Sequence, residues 1–151
     1  MNLELEIQAN RDRQAIIDLV NAYAYCADTR NAQGQMALFT VDTNFEVYYD
    51  PKAAEPTQVV SNREDLFPIF DNLNTYDATM HFNGQSTITL TGEGSNTATG
   101  ITYCMAHHLT KANNIQNFMV AAIRYEDVFT KQADRWLFAE RKLFVEWIEN
   151  R

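Results

Sequence analysis

Between Asn10 and Ala27 the apolar residues Ile16, Val20, Tyr23 and Ala27 recur at steps of four, three and four, which places them along one face of a helix. Asp28 lies one residue beyond Ala27, at or near the buried edge of that face. Thr29-Arg-Asn31 breaks the period, and Ala32 to Phe39 reads as a second, short helix. Val41 to Tyr49 reads as a strand, followed by a loop around Pro51 and Pro56. Ser61-Asn-Arg-Glu64 has capping-box spacing and predicts a helix running to about Leu73.

After Tyr76 the pattern changes to long strands: about Ala78–Thr91, Thr97–Leu109, Phe118–Thr130 and Trp136–Trp147. Gly92-Glu-Gly-Ser-Asn96, Lys111-Ala-Asn-Asn114 and Lys131-Gln-Ala-Asp134 are short and turn-rich, as antiparallel hairpins require. Strands of this length coil, so the sheet should be strongly curved, and the helices that precede it are what is available to close its hollow side. The expectation is an α+β cone, a four-strand antiparallel meander closed by N-terminal helices around an interior pocket. No internal repeat or linker divides the chain, and 1–151 reads as a single domain.

Composition narrows the partners. The chain has 46% hydrophobic and 12% aromatic residues with only five Gly and three Pro, a globular composition. Its net charge of −8 argues against nucleic acid and anionic membrane surfaces, which need a basic patch, and favours a small ligand of little charge. Cys26 and Cys104 sit in apolar runs without CxxC spacing, and no signal peptide precedes the first acidic residues, so reduced thiols in the cytoplasm are expected. No apolar stretch approaches the ~20 residues that span a bilayer.

Two ionisable residues stand in apolar surroundings: Asp28, ending Tyr23-Ala-Tyr-Cys-Ala-Asp28, and His81, in Thr79-Met-His-Phe82. A carboxylate and an imidazole in one pocket can move a proton without metal or cofactor. Strand alternation places Tyr103, Met105 and His107 on one side and Thr102, Cys104, Ala106 and His108 on the other, so His107 and His108 diverge. That divergence, with three His in the chain and no HxH or HxxxH spacing, argues against a metal site. The Tyr103 face is expected to point inward, lining the pocket with an aromatic, a thioether and an imidazole. Counting from Trp136 and Phe138 puts Glu140 on their side and Arg141 on the apolar side of Leu137 and Leu143. Each candidate has a bland alternative: Asp28 as a helix-terminal residue bonding local amides, His81 as a satisfied core histidine, Arg141 as Glu140's partner in a surface ion pair, Tyr23 as core.

The order helix, short helix, strand, helix, four long strands resembles the nuclear transport factor 2-like fold and, within it, the SnoaL-like group. The stretches that carry the likeness are Ile16-Ile-Asp-Leu19 to Ala27-Asp28, Met80-His-Phe82, Thr102 to His108, Tyr125-Glu-Asp127 and Trp136 to Arg141. The resemblance implies a cofactor-independent lyase or isomerase, such as a dehydratase or dehydrochlorinase, acting on a small, largely apolar or aromatic substrate. It implies Asp28 supporting His81 as general base, Arg141 as a pocket arginine and His107 as a second histidine. Tyr23, Met80, Phe82, Tyr103 and Met105 are the expected substrate-binding wall. The alternative is a non-catalytic protein binding a small molecule in the same cone. A homodimer through the outer sheet face, with Thr102, Cys104, Ala106 and the Phe118 strand supplying the contact, is also implied.

Overall fold

The computed structural model describes residues 2–92 and 94–151. Its first helix, α1 (Leu3–Asp28), buries Asp12, Ile16, Leu19, Val20, Tyr23, Ala24 and Ala27, a stripe at helical spacing. It starts seven residues before the predicted point because Asn2 caps it, accepting from the Glu4 amide at 3.0 Å, with Glu4 and Glu6 in the positive first turn. At the other end the Asn31 amide donates to the Cys26 carbonyl at 2.8 Å and the Arg30 amide to the Ala27 carbonyl at 3.3 Å, while Arg30 adopts φ 60°. These are the two bonds of a Schellman cap, with arginine where glycine is usual.

Helix α2 (Ala32–Met36) stops before Phe39 because that residue opens strand β1 (Phe39–Tyr48). Strand β2 (Gln58–Val60) forms in the stretch read as loop and pairs with β1. Helix α3 (Leu66–Asp71), continued by a 3₁₀ turn over Asn72–Thr75 past the predicted end at Leu73, begins later than predicted and differently. In place of the Ser61/Glu64 capping box, the Asp65 backbone amide donates to Asn62 Oδ1 at 3.0 Å and the Asn62 side-chain Nδ2 to Asp65 Oδ2 at 2.6 Å.

The four long strands are present as β3 (Ala78–Leu90), β4 (Thr97–Ala112), β5 (Ile115–Gln132) and β6 (Arg135–Asn150). With β1 and β2 they make one six-stranded sheet of order β2-β1-β6-β5-β4-β3, antiparallel except where β1 runs parallel to β6. Asn113-Asn114 and Ala133-Asp134, all at positive φ, form the two-residue turns of the last hairpins. The predicted turn Gly92–Asn96 contains Glu93, which lies outside the described residues.

Two residues of β6, Ala139 and Glu146, have no partner on β5, and each such bulge adds twist to an already long pair. The sheet curves, and α1 packs across its concave side against β3 and β6. Between them Tyr23 meets Phe39, Phe70, Tyr125 and Phe138 at centroid distances of 5.7–6.1 Å, making an aromatic core at the base of the cone.

Along β4 the buried residues are Ala98, Gly100, Thr102, Cys104, Ala106 and His108. The expected orientation is therefore reversed: Tyr103, Met105 and His107 face outward. Small residues fill the concave side because the helices press close there, and the bulky ones stand on the convex side. Among the described residues no helix is long and apolar enough to cross a membrane.

Candidate active site

Asp28 and His81 meet. The end of α1 lies over the start of β3, and His81 Nδ1 stands 2.7 Å from Asp28 Oδ1 while the His81 backbone amide donates to Oδ2 at 2.8 Å. Thr79, two residues before His81 and hence on the same strand face, donates its hydroxyl to Oδ1 at 3.0 Å. An ionised carboxylate only accepts, so the imidazole must carry its proton on Nδ1, leaving Nε2 as the nitrogen free to act on a ligand. Burial raises the Asp28 carboxyl, but the His81 ring and backbone bonds and the Thr79 bond together outweigh it and hold the group below its ordinary value.

His81 borders a cavity of about 470 Å³. Its sheet wall includes His108, Tyr125 and Leu143, and its helical wall Tyr23, Gln35, Phe70 and Leu73. None of its lining residues is Asp, Glu, Lys or Arg. Within reach of a ligand, then, the polar groups are imidazoles, phenols and amides, which suits a neutral molecule and penalises a charged one. Asp28 stands behind His81 and does not itself line the space.

The second histidine of the cavity is His108 in place of the expected His107. Its ring lies 6.0 Å from that of His81 and 4.7 Å from Tyr76, and Thr79 is its cross-strand neighbour. It is 8% exposed, and its Nδ1 has no hydrogen-bond partner. Burial lowers its pKa and His81 adds to the effect, so the ring is neutral at neutral pH. His107 lies on the convex face, with Nδ1 3.4 Å from the Met80 carbonyl oxygen.

Arg141 is buried completely, yet it is not on the cavity wall. Its Nε donates to Asp127 Oδ1 at 2.8 Å and its Nη2 to Oδ2 at 3.1 Å. Its Cζ lies 3.6 Å from the ring centre of Tyr125, 4.2 Å from Tyr23 and 4.4 Å from Phe138. The pocket-arginine expectation is thus corrected: Tyr23 and Tyr125 separate the guanidinium from the cavity. Simple alternation put Arg141 opposite Phe138; the bulge at Ala139 brings both to the concave side. Burial acts to lower the Arg141 pKa, but Asp127 overrides it and keeps the guanidinium charged. Burial pushes the Tyr23 phenol up to about 12 and lifts Tyr125 well above its ordinary value, so both stay neutral hydrogen-bond donors.

Of the expected wall residues only Tyr23 lines the cavity. Met80 (63% exposed) and Phe82 (68%) stand on the convex face with Tyr103 and Met105. Sequence reasoning missed His108, Tyr125, Gln35 and Tyr76; the alternation in β4 contained His108, but periodicity gives relative faces and not which is inner. Among the described residues no three or more His, Cys, Asp or Glu gather in a metal-holding group.

An α+β cone with a histidine–aspartate pair at its cavity defines the class, and the sequence profile of the SnoaL-like domain matches residues 8–142. The chain belongs to the SnoaL-like family, on the nuclear transport factor 2-like fold. Similar solved structures include a putative scytalone dehydratase from Novosphingobium aromaticivorans, 20% identical over 95% of this chain and 89% of that one with a TM-score of 0.79. A hexachlorocyclohexane dehydrochlorinase, LinA type 2, is 14% identical over 97% and 93% of the chains, also at 0.79. An NTF2-like protein with a cystatin-like fold from N. aromaticivorans is 19% identical over 96% and 88%, at 0.77. At these identities the likeness establishes the fold. No curated protein sequence matches the chain.

Proposed function

We propose that this single SnoaL-like domain is a cofactor-independent lyase or isomerase in which His81, supported by Asp28, removes a proton from a carbon of a small, uncharged, largely apolar or aromatic substrate. The observation that carries this reading is the 2.7 Å contact between His81 Nδ1 and Asp28 Oδ1 at the wall of a cavity without charged lining residues. In this mechanism Nε2 takes the proton and Asp28 stabilises the resulting imidazolium. The C–H electron pair becomes the new double bond as the leaving group departs with its own pair; in an isomerisation the proton returns to another carbon. Tyr23 and Tyr125, neutral donors fixed by the buried Arg141–Asp127 pair, stabilise developing negative charge, and His108 meets the leaving group or carbonyl. Arg141 is here a positioning residue. Engagement of the pair beside a cavity favours catalysis over simple binding. Fold neighbours named as a putative scytalone dehydratase and a hexachlorocyclohexane dehydrochlorinase support this choice of chemistry.

The experiment is turnover of a set of neutral cyclic compounds bearing a hydroxyl or halide β to an acidic C–H. Asp28→Asn and His81→Ala should each reduce turnover of any accepted compound by about 10²–10⁴-fold with folding intact. Full activity in both variants would refute the assignment.

The same reading includes a homodimer, through a different surface from the one expected. Thr102, Cys104 and Ala106 face the core; the convex face instead carries Phe82, Met105, Ala122 and Trp147 in one cross-strand row over β3, β4, β5 and β6. Phe82 and Trp147 (58%) are exposed, and apolar surface of this kind marks an association face. Two free thiols, Cys26 and buried Cys104, suit a reducing cytoplasm.

A further inference from the structure

Arg30 holds the strained position of the α1 cap, at φ 60°, where glycine would be relaxed. A non-glycine residue in this conformation is a reason to ask what its side chain does. That side chain turns back under the end of the helix. Nη1 donates to the Ala27 carbonyl at 2.8 Å and to Thr79 Oγ1 at 2.8 Å, and Nη2 lies 3.5 Å from the Tyr76 carbonyl oxygen. Thr79 Oγ1, which accepts from Arg30, has one proton to give, and Asp28 Oδ1 lies 3.0 Å away. The guanidinium therefore decides which way the hydroxyl points. Asp28 Oδ1 receives Thr79 and the His81 ring, while Oδ2 receives the His81 amide, so both carboxylate oxygens are held.

We propose that Arg30 and Thr79 are positioning residues, a relay that keeps the Asp28 carboxylate ionised and aimed at His81. The inference rests on the catalytic reading of the Asp28–His81 pair. Its consequence is chemical: a carboxylate already satisfied by Thr79 and by the two His81 bonds is a poor proton acceptor. When His81 becomes an imidazolium its Nδ1 proton then stays on the ring, and Asp28 acts as orienter only. The charged or titratable groups about Asp28 are His81 on β3, Arg30 at the end of α1, and His108 and Cys104 on β4; of these only Arg30 carries a permanent charge. The same side chain also closes the end of α1 at the Ala27 carbonyl and reaches the Tyr76 carbonyl, so its bond to Thr79 is one of three that it makes.

The test is the carboxyl titration of Asp28, followed by carbon-13 NMR on full-length protein labelled at aspartate. Thr79→Val should move the Asp28 midpoint up by about one pH unit, the scale of one lost hydrogen bond to a charged group. Thr79→Ser should restore it. Arg30→Gly is the second variant: it supplies the residue the cap prefers, which offsets the lost side-chain bonds to the Ala27 and Tyr76 carbonyls, and it too should raise the midpoint. Unchanged titration in Thr79→Val or in Arg30→Gly would overturn the relay. His81→Ala separates this from the parent reading. If that variant leaves the Asp28 midpoint where it was, the Asp28–His81 pair itself is not coupled and the catalytic reading fails; if it raises the midpoint while Thr79→Val does not, only the relay fails.

Discussion

Gln35 and Arg141 are polar side chains buried by different logics, and each makes a prediction. Gln35 borders the cavity at 2% exposure, and its Oε1 has no hydrogen-bond partner. A buried acceptor left unpaired costs about 1–3 kcal/mol, so Gln35→Leu, which fills similar space, should raise the melting temperature. A fall in a calorimetric scan would mean that the amide is paired in solution. Arg141 differs in that its Nε and Nη2 pair with Asp127, although its Nη1, like Gln35 Oε1, has no partner. Arg141→Met should cost about 3–5 kcal/mol by leaving that carboxylate buried and uncompensated, and adding Asp127→Leu should recover most of the loss. Denaturant unfolding of the single and double variants checks this. Asp28 and His81 were legible in the sequence because each interrupts an apolar run. Arg141 was legible as a residue on an apolar face but not as a buried ion pair, since its partner Asp127 belongs to another strand and its side of the sheet depends on a one-residue bulge.

Helices and strands carry their own strains and ties. The turn joining β5 and β6 places Ala133 at φ 50°, a conformation that costs an alanine about 1 kcal/mol. Ala133→Gly should therefore stabilise the protein by about 0.5–1 kcal/mol, measured by chemical denaturation. Asp12 ties the front of α1 to the same hairpin: it accepts from Trp136 Nε1 at 2.9 Å, Lys131 Nζ at 3.1 Å and Gln8 at 3.2 Å. Burial raises the Asp12 carboxyl, but those three bonds prevail and hold it below its ordinary value of 3.8. A depressed carboxyl contributes stability above the unfolded-state value and loses it as pH falls through the folded value. Parent and Asp12→Asn should accordingly differ in melting temperature at pH 7, with the difference shrinking as pH falls from about 3.8 through the lower folded-state value. This tie anchors α1 through a polar contact with residues more than a hundred positions away, which local pattern cannot report. The long strands were legible because their alternation and turns are local. Strand β2 was not, since three residues between prolines carry too little pattern.

For the whole molecule, the concave and convex faces of one sheet divide the work. Small and aromatic residues line the inside, where the helices close a cavity, and a row of large apolar residues stands outside. The cone itself was predictable from element order; which face of β4 looked inward was not, because bulky residues suit a cavity wall and a subunit contact equally well by composition. If the proposed homodimer forms through this row, Trp147→Glu should convert it to a monomer in size-exclusion chromatography with light scattering while leaving the cavity chemistry unchanged; an unaltered mass would refute this face as the contact.

The central claim is that His81, held by Asp28, abstracts a proton from carbon inside the cone. It is tested most directly by deuterium incorporation from D₂O into the α-carbon of a neutral bicyclic ketone, 2-tetralone, followed by mass spectrometry. The parent protein should accelerate exchange over buffer, and His81→Ala and Asp28→Asn should lose that acceleration. Equal exchange by all three proteins would contradict it.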